Sequence, residues 1–248
     1  ASGSRSEQGM SALFGGFPST PLAQIARQPD KFIKLPSLPA RFVNKGYSPS
    51  FFFGGDLSYG NIKSYIIFNK FKTILEENDF NDSCPRGKLG VEDECLYPKM
   101  SSFLDNEKEP FFASCFTLST HSPYDIPGLR EKFQWPEYEK DYINAIYYAD
   151  SCLGLFIENS KKKPWFANTL FIIVSDHSHG SYILRDSWTP AYNKIPLLFY
   201  GDVIKDNFKG SVIDKIGSQY DIPATLLHQC GMNSNEFSWS KDLLNPAS

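Results

Sequence analysis

Asp176 and His177 stand where an apolar run, Phe171-Ile172-Ile173-Val174, passes through Ser175 into a loop that continues Ser178-His179-Gly180. A carboxylate beside an imidazole pairs a hard oxygen with a borderline nitrogen, a donor set suited to zinc or manganese. Such an ion lowers the pKa of a nearby hydroxyl and draws charge from a phosphoryl group. Ser4 offers a hydroxyl in a fitting place, at the hydroxyl-rich start of a short helix that runs through Met10-Ser11-Ala12-Leu13-Phe14 and closes at Gly15-Gly16. The free N–H groups and positive dipole end of a helix favour phosphate there. A plain serine N-cap accounts for the same letters. Arg5 is suited either to clamping phosphate or to a surface ion pair. His121 follows a second apolar run, Phe111 to Leu118, and is suited to binding phosphoryl oxygens or protonating a leaving alkoxide. A lone loop histidine is often incidental, but these two run ends hold three of the chain's four histidines, which points to a shared site. Gly54 and Gly55, ahead of Asp56, permit either close backbone approach to a ligand or a simple turn. The chemistry this set supports is metal-dependent attack on a phosphate ester.

These residues need strands that end together and helices that cover them. The run Phe171–Val174, rich in β-branched residues, reads as a buried strand, as do Phe111–Leu118, Ser50–Phe53 and Ile195–Tyr200. In open α/β sheets the ligand crevice lies at the carboxyl ends of the strands. Helical spacing runs from Leu35 to Lys45 with Gly46 at the stop, and again from Asn61 to Phe71. The clearest period covers Glu137 to Ser160, where Tyr142, Ile146, Ala149, Leu153, Phe156 and Ile157 make one apolar face. A last helix starts near Ser218 or Asp221 and contains His228, which reads as structural. Residues 78–108 hold Pro85, Gly87, Gly90 and Pro98 and read as a surface excursion. The alternation predicts an α/β fold.

The 248 residues suffice for one sizeable α/β domain. With 25 basic and 28 acidic side chains, net charge -3, no electrostatic case for nucleic acid exists. The one basic run, Lys161–Lys163, reads as a solvated helix end. No apolar run reaches the roughly 18 residues a bilayer span requires, and no signal peptide is expected. Of five cysteines, Cys115 and Cys152 read as buried thiols, while Cys84 and Cys95 flank a loop and are free to pair or not.

Six segments occur in order: Ser2-Gly3-Ser4-Arg5-Ser6-Glu7-Gln8-Gly9, the glycine pair before Asp56, Gly90-Val91-Glu92-Asp93-Glu94, Phe116 through His121 to Pro123, Ser175-Asp176-His177, and Phe237 to Pro246. Together they resemble the extracellular catalytic domain of the lipoteichoic acid synthase group, within the sulfatase and alkaline phosphatase superfamily. The resemblance spans nearly the whole chain. It implies one catalytic domain over residues 1–248, built as a central, mostly parallel sheet flanked by helices. It implies a divalent ion, manganese first, with zinc or magnesium as alternatives. The implied activity is transfer of phosphoglycerol from a phospholipid head group to an alcohol acceptor. It also implies the extracytoplasmic side of the cell envelope and a membrane tether in the full-length protein.

By the same resemblance the nucleophile falls on Ser4, where a threonine is usual, and would form a covalent phosphoserine. The aspartate and histidine metal ligands fall on Asp176 and His177, and the substrate-contacting histidine on His121. From the residues themselves, the Ser4 oxygen is expected as a further metal ligand, and Arg5, Gly55 and Asp56 as substrate contacts. Two segments of the family are expected to be missing, a first strand ending in a glutamate ligand and a last sheet segment. A further histidine-bearing strand end of the group is Gly54-Gly55 here. With at most three ligands an ion is weakly held, so poor metal binding and low or no turnover are expected of this chain by itself. The alternatives are a phosphoethanolamine transferase, a sulfatase or phosphodiesterase-type hydrolase, and a non-catalytic domain that keeps the fold. The formylglycine pattern of true sulfatases is not found at Ser2-Gly3-Ser4-Arg5 or at Cys84-Pro85-Arg86.

Overall fold

The computed structural model describes residues 1–19, 24–129, 131–180 and 186–247. In chain order the elements begin with α1 (Ser6–Gly15), α2 (Pro29–Phe32), α3 (Leu38–Val43), β1 (Ser48–Phe53), α4 (Ile62–Phe68), β2 (Thr73–Leu75), β3 (Arg86–Gly87) and β4 (Gly90–Val91). They continue with α5 (Asp93–Leu104), β5 (Phe111–Phe116), α6 (Lys140–Ser160), β6 (Phe171–Val174), β7 (Leu197–Tyr200) and α7 (Ile222–Gln229). The chain divides into two compact units: Ala1–Lys45, Gly60–Lys70 and Asn168–Ser248 form the first, Gly46–Tyr59 and Phe71–Ala167 the second.

The second unit is a parallel sheet with helices, as the alternation predicts. Strand β1 is central, paired in parallel with β2 on one side and β5 on the other. Its phenylalanines are buried, Phe52 completely, and Phe103 of α5 meets Phe52 edge-on at 5.4 Å. Each buried ring contributes about 2–3 kcal/mol of transfer free energy. Strand β5 lies at the sheet's border and is half-buried along its whole length, against the expectation of a buried strand.

The 78–108 segment is not a surface excursion. It contains the β3–β4 hairpin and the twelve-residue α5. Leu96, Met100 and Leu104 recur at helical spacing and are buried, so packing outweighs Pro98 inside the helix. The segment is also stapled by a disulfide between Cys84 and Cys95. Helix α6 forms as expected, with Phe156 of the predicted face buried and Tyr142, Ala149, Leu153 and Ile157 half-buried, but its fully buried line is shifted. Asn144, Ala145, Cys152, Phe156 and Ser160 are buried, while Ile146 is exposed. Asn144 explains the rotation: its amide accepts from Lys132 N and Phe133 N and donates to Phe133 O and Lys140 O, all within 3.0 Å. A polar side chain so fully bonded belongs inside. The Lys161–Lys163 run does end this helix, with Lys161 on Glu158 at 2.6 Å and Lys163 on Asp105 at 2.5 Å.

In the first unit, α1 closes as predicted, with Gly16 in the left-handed region (φ 59) donating to Ala12 O. Helix α3 is shorter than its apolar spacing suggested, because Pro36 and Pro39 cannot continue a helix backward. Ser37 caps it instead, accepting from Ala40 N at 3.2 Å. Helix α4 likewise ends at Phe68, before the left-handed Lys70 (φ 66). Phe32 and Tyr65 pack edge-on at 5.4 Å in the core of this unit. Strands β6 and β7 form an antiparallel pair, and β6 is half-buried rather than buried. Helix α7 is preceded by a 3-10 turn, Gln219–Asp221, held by reciprocal bonds between Ser218 and Asp221. At its other end His228 Nδ1 lies 3.2 Å from Asp242, and Ser234 Oγ 3.0 Å from His228 Nε2, in keeping with the structural role read for His228.

Candidate active site

Strand β6 delivers Asp176 and His177 to a turn on which α1 rests. A Cβ on Gly9 would sit 2.4 Å from Asp176 O, so only glycine lets the helix touch this carbonyl. Ser6, the first residue of α1, donates its hydroxyl to Asp176 Oδ2 at 2.6 Å. Asp176 Oδ1 accepts the N–H of His177 at 2.8 Å. His177 Nδ1 lies 2.8 Å from Ser178 O. A carbonyl oxygen only accepts, so Nδ1 carries the hydrogen and the neutral ring keeps its lone pair on Nε2. That nitrogen is 3.5 Å from Asp176 Oδ2, and both side chains are about 30% exposed. Two lone-pair donors facing each other at this distance, with the ring oriented by a carbonyl, make a fitting pair of ligands for a divalent cation. Among the described residues no group of three or more His, Cys, Asp or Glu side chains is gathered to hold an ion.

Ser4 and Arg5 lie just ahead of the helix and are exposed. The N-cap position is Arg5, whose side chain makes no cap bond, so Ser4 is not the N-cap residue of the helix. Ser4 is oriented through its main chain, its N–H donating to Gln8 Oε1 at 3.0 Å. The start of the chain and the Asp176–His177 turn are thus brought together, through Ser6. Two participants lack a sequence signal. Ser6 reads as one more hydroxyl of a polar stretch. Gln219 reads as a helix-start residue, yet its side chain bonds the carbonyls of both Ser175 and Asp176.

His121, Gly55 and Asp56 belong to the second unit. His121 Nδ1 is 2.6 Å from Ser122 O, so this ring too holds its lone pair on Nε2. It borders a small pocket with Glu92, Ser119, Tyr124 and Asp125. Tyr124 has φ 64, a left-handed conformation uncommon for a bulky residue. Glu92 accepts from Ser119 Oγ at 2.7 Å and Gly87 N at 3.1 Å, and burial pushes its carboxyl above the usual range. Gly54 and Gly55 do allow a close approach, but of protein backbone. A Cβ on Gly54 would lie 2.2 Å from Val91 O, and Gly55 bridges Gly90. Asp56 turns back on Ser58, accepting from its N–H at 2.8 Å and its hydroxyl at 2.6 Å.

A family model described as Sulfatase matches residues 1–232. Phosphoglycerol transferase I of Xanthomonas campestris pv. campestris is 25% identical over 211 residues, covering 81% of this chain and 30% of that protein. A solved protein of the alkaline phosphatase superfamily from Vibrio parahaemolyticus superposes with a TM-score of 0.87 at 30% identity, covering 100% of this chain and 60% of that one. The lipoteichoic acid synthase LtaP from Listeria monocytogenes gives 0.85 at 21% identity, covering 99% of this chain and 64% of that one. The chain spans about a third of the length of the curated relatives it matches. With the match running from Ser4 past the Asp176–His177 turn and through α7, the chain belongs to the Sulfatase family.

Proposed function

We propose that this chain is the catalytic part of a phosphoglycerol transferase that works through a phosphoserine at Ser4. The observation that carries the reading is the 2.6 Å bond from Ser6 to Asp176, which brings the hydroxyl-bearing start of α1 to the acid–imidazole turn, while the choice of Ser4 within that stretch rests on the resemblance of Ser2–Gly9 to the family's nucleophile segment. Similarity to a phosphoglycerol transferase and to a lipoteichoic acid synthase supports the group transferred.

Asp176 and His177 would hold a divalent ion, manganese first, with zinc or magnesium as alternatives. Such an ion would lower the pKa of the serine hydroxyl and neutralise phosphoryl charge. The rest falls to the chain's own groups. Ser4 Oγ attacks phosphorus as its hydroxyl proton passes to water, the bond to the diacylglycerol oxygen breaks, and that oxygen takes a proton from water as it leaves. An acceptor alcohol then attacks the same phosphorus and gives up its proton, the bond from phosphorus to Ser4 Oγ breaks, and Ser4 Oγ is reprotonated. The amino end of α1 offers N–H groups and a positive dipole end to the phosphoryl oxygens throughout, and Arg5, exposed beside Ser4, is free to swing onto them. Ser6 holds Asp176 oriented, and the Ser178 carbonyl holds His177.

The disulfide between Cys84 and Cys95 supports an oxidising, extracytoplasmic location. No helix among the described residues is long and apolar enough to cross a membrane, so a tether would come from elsewhere in the protein.

Incubation of the full-length protein with manganese and labelled phosphatidylglycerol, followed by peptide mass spectrometry, tests the reading. A phosphoglycerol adduct on Ser4, lost in Ser4→Ala, is expected. Faster turnover of phosphatidylethanolamine would move the assignment to phosphoethanolamine transfer. Unchanged activity of Ser4→Ala would remove the covalent mechanism.

A further inference from the structure

We infer that Gln219 is a positioning residue that sets the distance between the nucleophile segment and the Asp176–His177 turn; this rests on the transfer reaction proposed above. Gln219 is 2% exposed, and its carboxamide is used at both ends. The Nε2 group donates one hydrogen to Ser175 O at 2.9 Å and the other to Asp176 O at 2.6 Å. The Oε1 atom accepts the N–H of Ser2, two residues before Ser4. One rigid planar group therefore ties the start of the chain to the end of β6. All three partners are main-chain atoms, so the tie does not depend on any partner's rotamer.

The clamp itself is anchored. Asp221, 1% exposed, accepts from Ser218 N at 2.8 Å through one oxygen and from Lys241 N at 3.1 Å through the other. Thr225 Oγ1 donates to Asp221 O at 2.8 Å and accepts from Leu243 N at 2.9 Å. The turn carrying Gln219 is thus fixed to α7 and to the C-terminal segment before it reaches the site. Gly9 presses on Asp176 O from α1. Between these contacts the Asp176 peptide has little freedom, and misplacement by about 1 Å is enough to cost on the order of a hundredfold in rate.

The chemistry requires this side chain. Glutamate has the same shape but would turn oxygens toward two carbonyls and bury a charge without a partner. Methionine fills the volume and leaves all three main-chain groups unpaired. Asparagine keeps the donor and the acceptor but is shorter by one methylene and cannot reach both sides.

The test is single-turnover transfer from phosphatidylglycerol, with manganese present, by the full-length protein as wild type, Gln219→Asn and the control Ser4→Ala. For Gln219→Asn, formation of the Ser4 adduct is expected to slow ten- to a hundredfold with KM for the lipid within twofold. Paired with Ser6→Ala, the two losses should combine less than multiplicatively, because both act through the placement of Asp176. A rate within twofold of wild type, or a loss confined to KM, would overturn the inference. Hydrogen exchange on wild type tests it without a variant: the Ser2 amide should be protected, and exchange at the open-chain rate would overturn the clamp. If wild type itself forms no Ser4 adduct, the transfer reading fails, while the Ser2 protection still reports on the clamp.

Discussion

Asp176 commits one oxygen to its neighbour's N–H and the other to Ser6, so its carboxylate is oriented before any ligand arrives. A hydrogen bond to a charged group contributes about 1.5–3 kcal/mol. Ser6→Ala is therefore expected to lower kcat ten- to a hundredfold and leave the Ser4 adduct detectable, whereas Ser4→Ala abolishes it; equal effects of the two would contradict separate roles. The turn that carries Asp176 and His177 is legible in the sequence because a β-branched run ends in it. Ser6 was not, since its partner is 170 positions away, and Gln219 was not, since no local pattern predicts a side chain bonding 43 positions back. Glu92 supports a prediction of another kind. Burial, foremost, raises its carboxyl pKa above the ordinary value of about 4. The folded state then binds the proton more tightly than the unfolded state. The stability this adds is present in full below the ordinary value and is lost as pH rises through the raised one. The melting temperature of wild type minus that of Glu92→Gln should accordingly be larger at pH 4 than at pH 7; a difference that grows with pH would refute the assignment.

Among the elements, strands were easier to read than the helix faces. The run Ser50–Phe53 gave β1 to within two residues, and Phe171–Val174 gave β6, because unbroken apolar runs of this length have few other homes. Helix α5 was missed because Pro98 and the glycines around it outweighed a short apolar period, and the packing that reverses the balance is tertiary. The α6 face is read correctly at Phe156 but not at Ile146 and Asn144, because a hydropathy count puts Ile146 inside and Asn144 outside, while the amide bonds of Asn144 decide the matter. The Cys84–Cys95 link, 11 positions apart, joins the loop before β3 to the first turn of α5. Closing a loop of that size stabilises by about 3 kcal/mol in the chain-entropy picture. Cys84→Ser with Cys95→Ser, or reduction of wild type, should lower the melting temperature by roughly 5–10 °C. Reduction should do nothing more to the double variant, and a further drop would mean that the stabilisation lies elsewhere.

For the whole molecule, the α/β class and the family could be drawn from six ordered segments, whereas the antiparallel pairing of β6 with β7 could not, because pairing partners leave no mark on composition. Asp176 and His177 alone make a weak cation site. Calorimetric titration of this chain with manganese at micromolar concentration should give no saturable isotherm, and tight one-to-one binding would mean that further ligands are supplied. One device recurs in both units. His121 and His177 each give the Nδ1 hydrogen to the carbonyl of the very next residue. An imidazole tethered in this way behaves as a pure base at its outer nitrogen. To offer hydrogen to a departing alkoxide or to an anionic oxygen, it must first become imidazolium. For His121, the two roles read for it, proton donor to a leaving alkoxide and partner of a phosphoryl oxygen, would then both call for the same doubly protonated ring.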